Sequence, residues 1–384
     1  KMPAIGRIFR LQPLQNLFLL TLCVIFIVLI YMTYNRNIDT RFSVENNRLY
    51  HNSQPLNGEN MDHSGVAQQL SVSGHTKGGK SDSLHTTEGN EKPTVIITFT
   101  NAANNYGLQE KFRTTVKSLF RFSSVPINLY ILGDEQSKTI VSEILRDVVP
   151  NQFEKMELLH LDVDNLTKKV HNIVQEMQKH FSYKPGAYFS DALFFFSIAS
   201  HVVLPDLNRV IMLDADLKFN ADIKQLWNLF DKFSNKCIIG IARENQPVYR
   251  HTFHMYRNAN TRTRVGDPPP DGLTGFNSGV LLLALDKMRQ SKIYNSVLIS
   301  GEIEKLTQKY MFKGHLGDQD FFTLLSMEYE DLFYILPCTW NRQLCQWWKN
   351  HGYESVFDLY FRCEGNINIY HGNCNTPIPK LDWE

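Results

Sequence analysis

No charge of either sign dominates this chain. Its 384 residues carry 40 Lys and Arg against 39 Asp and Glu, a formal net charge of +1. That balance excludes a nucleic-acid binder recruited by bulk positive charge. Cysteine is scarce, with six residues and no Cys-x-x-Cys pair, so the spacing of a structural zinc site is missing. No internal repeat is apparent, which sets aside a repeat architecture. Apolar residues are not lacking. At 43% hydrophobic the chain is not disordered throughout, and it is long enough to bury a large core without metals or disulfides as staples.

Residues 17–34 read LFLLTLCVIFIVLIYMTY, without a charge. As a helix this run is about 27 Å long, close to the thickness of a bilayer core. Lys1, Arg7 and Arg10 precede it with no acid among them, and Arg36, Asp39, Arg41 and Glu45 follow in mixed sign. The bias predicts a cytosolic tail (1–13), a transmembrane signal anchor (14–34) and the bulk of the chain across the membrane. A cleaved signal peptide needs small residues at its cleavage site, and IYMTYNRN offers none. Residues 35–92 are poor in bulky apolar side chains and read as a flexible lumenal stem. Residues 93–384 form the globular part. Cys237, in the apolar run CIIGIA, reads as a core thiol. Cys338, Cys345, Cys363 and Cys374 crowd the C-terminal end. They allow three pairings, and in a lumenal domain two disulfides are the natural reading. Asn165, in Asn165-Leu166-Thr167, is the one glycosylation acceptor pattern.

From Pro93 onward strand-like and helix-like segments alternate. TVIITFT (94–100), INLYILG (127–133) and MELLHLDV (156–163) read as strands, and apolar spacing predicts helices over 107–121, 135–148 and 167–181. ALFFFSIASHVVL (192–204) is apolar nearly all round and predicts a buried helix. RVIMLDADLKF (209–219) reads as a strand running into acids, with CIIGIARE and SGVLLLAL as further strands. The alternation predicts an α/β domain with a mainly parallel central sheet and helices on both faces. Ligands of such sheets bind beyond the carboxyl ends of the strands.

Polar motifs sit at those ends. Asp214 and Asp216 follow an apolar strand, and residues two apart in a strand project to one face, so both carboxylates can share a hard divalent cation. Asp-x-Asp is also common in solvated turns. His371 ends the alternating segment INIYHGNCN, and an Asp/Asp/His set mixes oxygen and imidazole ligands in a way that suits manganese better than calcium. A lone His is more often structural. Gly275-Phe276-Asn277-Ser278-Gly279 precedes the strand VLLLAL. Its glycines permit close backbone approach and its amide and hydroxyl can bond sugar hydroxyls, or it is an ordinary turn. In His315-Leu316-Gly317-Asp318-Gln319-Asp320, Asp318 or Asp320 can cap the helix that follows, or Asp318 and Gln319 can serve substrate. Trp347 and Trp348 read equally as packing or as a sugar-stacking pair.

Taken in order, LDADLKF, FNSGVLLL, GDQDFF and the C-terminal HGN resemble glycosyltransferase family 8, metal-dependent retaining enzymes of the GT-A fold. The resemblance covers 93–384. Longer segments, GIARENQPVYRHTF, TRVGDPPPDGL, CTWNRQLCQWWKNHGY and YFRCEGNINIYHGNCNTPIP, are similar to one branch of that family. Its members move xylose from UDP-xylose in α-1,3 linkage onto xylosyl-glucose O-linked to Ser of EGF-like repeats, as in Notch-type receptors. They are single-pass type II proteins of the endoplasmic reticulum membrane. The resemblance implies Asp214, Asp216 and His371 as manganese ligands and Ala215 against the nucleotide-sugar. It implies Thr98, Phe99 and Thr100 around the uridine, Asn277 and Ser278 on donor sugar or phosphate, and Leu316 and Gln319 beside the xylose. Trp348 and Asn373 would face the acceptor, and Cys338 would pair with Cys363 and Cys345 with Cys374. Two positions depart from the wider family. Asp191 stands where many members carry Lys or Arg; an acid cannot pair with diphosphate, so it reads as a partner of sugar hydroxyls. The Lys common a few residues after the C-terminal His is absent, with Pro377 and Pro379 nearby and Lys380 further on.

An α-linked donor and an α product mean retention. Two inversions would need a carboxylate nucleophile on the far side of the sugar. The residue the resemblance places there is Gln319, a poor nucleophile whose amide oxygen can stabilise an oxocarbenium-like centre. Same-face attack is therefore expected, with Asp318 or Asp191 as covalent nucleophile the alternative. Three other readings compete: a glucoside xylosyltransferase or another UDP-sugar transferase of the family, a haloacid-dehalogenase-type phosphohydrolase, and a lectin-like binder. The phosphohydrolase motif expects Thr or Val where this chain has Lys218, and the intact acid pair and His argue against a binder.

Overall fold

A computed structural model of the chain describes residues 91–153, 158–182, 192–299 and 301–383. The expected tail and anchor, nearly all of the stem, and Asp191 lie outside the described residues. Among the described residues, no helix is long and apolar enough to cross a membrane.

Four aliphatic strands, β1 (Thr94–Thr98), β2 (Asn128–Gly133), β3 (Leu158–Asp162) and β4 (Arg209–Leu213), pair in parallel. β5 (Leu217–Phe219) leaves this sheet, which β6 (Ile239–Arg243), β7 (Phe276–Ala284) and β8 (Phe333–Leu336) complete in the order β3-β2-β1-β4-β7-β6-β8. β7 runs antiparallel to both β4 and β6, and β6 and β8 are parallel. The sheet is thus mainly parallel, as the alternation predicts, with β7 as its one reversal. β9 (Arg342–Gln343) and β10 (Ile369–His371) join β5 in a small second sheet, ordered β5-β10-β9.

Helix α1 (Tyr106–Phe122) buries Phe112, Thr115, Val116 and Leu119, a spacing that puts one stripe against the sheet. Asn105 caps it through the amide of Leu108. Helix α2 (Glu135–Val148) starts at Asp134, whose carboxylate accepts the amide and hydroxyl of Ser137, the amide of Asn101 and the hydroxyl of Thr100. One side chain therefore caps α2 and fixes the loop leaving β1. Those hydrogen bonds outweigh the opposing effect of burial and hold the Asp134 carboxyl at about 2. Gly133 has no side chain because a Cβ there would fall 2.0 Å from the carbonyl oxygen of Phe99.

Three segments differ from their sequence reading. The helix expected over 167–181 is two, α3 (Val163–Lys169) and α4 (His171–Phe181), because Asp162 caps an earlier start through the amides of Asp164 and Asn165. Asn165 lies exposed on α3. The buried helix over 192–204 begins as a 3-10 turn (Ala192–Phe195) before α5 (Phe196–Val203). The strand expected over 209–219 breaks into β4 and β5. Asp214 donates its amide to Gly279 and Asp216 offers its carbonyl to Gly372, so the chain turns between the sheets. Helix α6 (Asp318–Ser326) is buried along almost its whole length. Its N-cap is Gly317, at φ 67°, with no side-chain cap. Neither Asp318 nor Asp320 therefore takes the capping role; both are engaged elsewhere. The disulfides are Cys338–Cys363 and Cys345–Cys374, and Cys237 is a buried free thiol.

Replacing Asp134 tests the tie between α2 and the β1 loop. Asp134→Ala is expected to lower stability by about 1–2 kcal/mol, the upper range for a lost cap. A carboxyl depressed in the folded state adds stability above its unfolded value, and loses it as pH falls through about 2. Denaturant melts should therefore show the wild-type advantage steady above pH ~4 and shrinking below it. An advantage independent of pH would show that the carboxylate's charge is not what matters.

Candidate active site

The Asp214-Ala215-Asp216 turn is gripped from three sides. The Thr115 hydroxyl of α1 accepts the amide of Leu217 at 3.0 Å and lies 2.8 Å from the carbonyls of Ala215 and Leu217. The Ser118 hydroxyl, one residue short of a turn further on, accepts the amide of Phe219 at 3.0 Å. Gly279 and Gly372 supply the other backbone contacts, at 3.0 and 2.9 Å. Two hydroxyls on an otherwise apolar stripe thus pair backbone groups of β5 that would be buried unpaired.

The turn carries its acids to His371, at the end of β10. Ligand atoms of Asp214, Asp216 and His371 all lie within 4.8 Å of one another. His371 Nε2 is 3.2 Å from Asp216 Oδ1 and 3.5 Å from Asp214 Oδ2. A Cβ on Gly279 would sit 2.3 Å from His371 Cε1 and 3.0 Å from Asp214 Oδ2, so the bare backbone of β7 leaves the room that the cluster fills. Two carboxylates and one imidazole make a mixed donor set that fits a divalent cation. Desolvation pushes all three groups towards neutrality, and their mutual charges redistribute that cost. Despite burial, His371 and then Lys111 hold Asp216 at about 2, whereas desolvation and its neighbour Asp216 keep Asp214 above the usual carboxylate range although half of its side chain is exposed. His371 is shifted up because the acids outweigh its burial.

Lys111 was not singled out in the sequence. Its Nζ stands 3.6 Å from Asp216 Oδ2 and 2.6 Å from Asn375 Oδ1. It lies four residues before Thr115 on α1, so both reach the acid turn from one helix face. Once α1 is packed on that turn, this spacing is the signal that finds it.

The expected donor residues fall into distinct environments. Phe99 is buried, its ring 4.4 Å from the ring of Phe112 and its amide bonded to the carbonyl of Leu132, so it shapes the end of β1 from within. Thr98 and Thr100 are half-buried at the end of β1, and Thr100 is tied to Asp134. Asn277 and Ser278, expected before a strand, lie within β7, where a register shift opposite Ile241 and Ala242 loosens the ladder. Ser278 donates its hydroxyl to Asp318 Oδ1 at 2.9 Å, and its amide to Gln319 Oε1 at 3.3 Å. Asp318 also accepts the hydroxyl of Ser197. Burial pushes the Asp318 carboxyl up to about 7, against those hydrogen bonds. Asp320 accepts the amides of His315 and Leu316 and the hydroxyl of Tyr249, and burial raises it to about 6. Asp320 thus holds the loop that carries Leu316, which is half-buried. Asn277 points away from this group, towards Asn341 and Glu244.

On the other side of His371, Asn373 Oδ1 accepts the amides of Leu344 and Cys345 at 3.0 Å each. With the Cys345–Cys374 disulfide it clamps the segment that carries Trp348. The Trp348 ring is buried, 4.9 Å from His251 and 5.2 Å from Tyr353. Trp347 stacks on His351 at 3.6 Å. Glu244, at the end of β6, is buried and pushed up to about 7 by desolvation; it was not singled out in the sequence either.

These strand-end acids, the histidine and the GDQD helix form one constellation at the carboxyl edge of the sheet. The glycosyl transferase family 8 model matches residues 99–359. Human (Homo sapiens) xyloside xylosyltransferase 1 is 50% identical over 292 residues, 74% of this chain and 74% of that protein. Mouse (Mus musculus) xylosyl- and glucuronyltransferase LARGE2 is 32% identical over 240 residues, 62% of this chain and 31% of that protein. The crystal structure of mouse xyloside xylosyltransferase 1 in its apo form matches with a TM-score of 0.72 at 49% identity, over 75% of this chain and all of that one. The chain belongs to glycosyltransferase family 8.

Proposed function

We propose that this protein is a retaining, manganese-dependent xylosyltransferase. It moves xylose from UDP-xylose in α-1,3 linkage onto xylosyl-glucose carried on EGF-like repeats. The observation that carries the reading is the Asp214/Asp216/His371 set, in a chain half identical to a xyloside xylosyltransferase. The finer acceptor assignment draws its support from the sequence resemblance around Trp348 and Asn373. An endoplasmic reticulum location, with the described domain on the lumenal side, is supported by the apolar run at 17–34. Two disulfides and an exposed Asn165 fit an oxidising, glycosylating compartment.

Asp214, Asp216 and His371 would hold the metal, whose charge offsets that of the departing diphosphate. Lys111 adds a cation beside Asp216. Gln319 is oriented before any substrate arrives, because its carbonyl oxygen accepts the Ser278 amide; a second lone pair stays available for positive charge at the anomeric carbon. Both oxygens of Asp318 are engaged by hydroxyls and its carboxyl is raised by burial, which makes it a poor nucleophile. This favours same-face attack. The acceptor oxygen bonds the anomeric carbon as the bond to UDP breaks, and the acceptor's proton passes to the departing phosphate oxygen.

Three measurements test the reading. The full chain, incubated with manganese, a panel of UDP-sugars and an EGF-like repeat bearing xylosyl-glucose, should add one pentose by intact mass, from UDP-xylose only, and none with chelator present. Transfer onto glucosyl repeats instead would sink the acceptor assignment and leave the family standing. Gly279→Ala should abolish transfer while the protein still melts cooperatively, since the new methyl displaces His371; retained activity would show that the cluster is not needed. Asp318→Asn should keep kcat within about tenfold, or about 1.4 kcal/mol of barrier. A trapped pentosyl-enzyme in the wild type or a variant would reverse the mechanistic preference.

A further inference from the structure

His371 has two ring nitrogens, and only Nε2 faces the acids. Nδ1 lies 2.9 Å from Asn341 Oδ1. Which nitrogen bears the proton follows from a chain of amides that begins at a group of fixed polarity. The backbone N–H of Gly279 can only donate, and its partner is the side chain of Asn277 at 3.2 Å. That end of the Asn277 amide is therefore the oxygen, which leaves Nδ2 to donate to Glu244 Oε2 at 3.3 Å. Asn341 meets the same Asn277 oxygen at 2.9 Å, and the Asn277 backbone carbonyl at 3.4 Å. Both partners only accept, so Asn341 must present its NH2 group to them. Its own oxygen then faces the imidazole, and Nδ1 must donate. Asn341 is fully buried, with Asn277, His371 and Glu244 nearly so. An inverted amide in this setting would leave acceptors facing acceptors, at the cost of unpaired buried polar groups.

We propose that Asn341 and Asn277 are positioning residues. They hold His371 with a proton on Nδ1, which leaves Nε2, facing the space shared with Asp214 and Asp216, as the nitrogen that ligates a divalent cation once it has given up any proton it shares with the acids. The inference rests on the metal reading of those three residues. It also gives Asn277 a different task from the donor contact that the sequence resemblance implies, since both polar atoms of its side chain are used inside this relay.

The test is Mn2+ binding to the full chain without donor, followed by the electron paramagnetic resonance signal of free Mn2+. Metal-free melts in chelator accompany it. A site lost in Asp214→Asn and in His371→Asn supports the metal reading; wild-type binding that survives both removes it, whatever Asn341 does. With the site established, Asn341→Ala is expected to bind about 10–100-fold more weakly, the usual cost of removing the hydrogen-bond partner of a ligating imidazole. Asn341→Asp keeps an acceptor for Nδ1–H and should bind close to wild type, although it melts lower in chelator because two acceptors now face each other. Asn277→Ala makes no hydrogen bond to His371, yet should weaken binding several-fold by freeing Asn341 to turn. A purely structural role predicts the opposite order, with the Asp variant at least as weak as the Ala variant. Unchanged affinity in Asn341→Ala, or an Asp variant as weak as the Ala variant, overturns the proposal. If Asn341→Ala does not fold, unchanged affinity in Asn277→Ala does so alone.

Discussion

Three stretches of backbone meet at Gly279, and the site depends on their closeness. The Gly279 carbonyl accepts the amide of Asp214, its amide fixes Asn277, and the space above its α-carbon is taken by the His371 ring. A methyl group at this position would overlap the ring, and because His371 is buried and bonded at Nδ1 the ring yields only by leaving its place against the acids. The direction of β7 makes the meeting possible. In a parallel sheet every strand brings its carboxyl end to the ligand edge. β7 is reversed, so its first residues lie at that edge, with Val280 paired to Leu213. An acid motif that follows one apolar run and a polar motif that precedes the next are thereby brought side by side.

The same edge concentrates buried acids, and the chain separates them by their partners. Asp216 is kept ionised by His371 and Lys111. Asp318, Asp320 and Glu244 are all raised by desolvation, and each is hydrogen-bonded to neutral groups rather than to a cation. Of the acids at this edge, Asp216 is the one held ionised by cationic neighbours, while Asp214 beside it is raised like the rest. Lys111, carried by α1, stands between the acid turn and Asn375, four residues after His371, and so places a cation beside both segments.

Much of this was legible in the sequence. The apolar strands with their helical intervals gave the α/β sheet, and the order of LDAD, FNSG, GDQD and HGN placed the acid turn, His371 and Gln319. These features live in local pattern. What was not legible depends on contacts between distant segments. Strand 209–219 breaks because Gly279 and Gly372 claim the backbone of the acid turn, and nothing within that segment announces it. Lys111 looks like any solvated lysine until α1 is packed against β5. Glu244 and Asn341 carry no motif of their own; their roles appear only when β6, β7 and the segment before β9 converge. The capping reading of Asp318 and Asp320 failed for a related reason. Tertiary donors, the hydroxyls of Ser197 and Ser278 for one and the amides of His315 and Leu316 for the other, outcompete the helix's own amides.

The positions of the acids also bear on the retaining path proposed above. A double displacement asks for a carboxylate that is ionised, unencumbered and on the far side of the sugar. Asp318 has both oxygens occupied by hydroxyls and Asp320 has three donors. Glu244 spends one oxygen on Asn277 and is held near neutrality by burial. Freeing any of them would expose buried donors and cost the hydrogen bonds that hold Ser278, Leu316 or the Asn341 relay in place. Gln319 asks for none of this. Its amide is neutral, so burial exacts no ionisation penalty, and the Ser278 amide fixes its oxygen in advance. Among the described residues, the group most ready to meet positive charge at the sugar is therefore one that stabilises without bonding, and the proposed same-face path asks for no free carboxylate that this edge would have to supply.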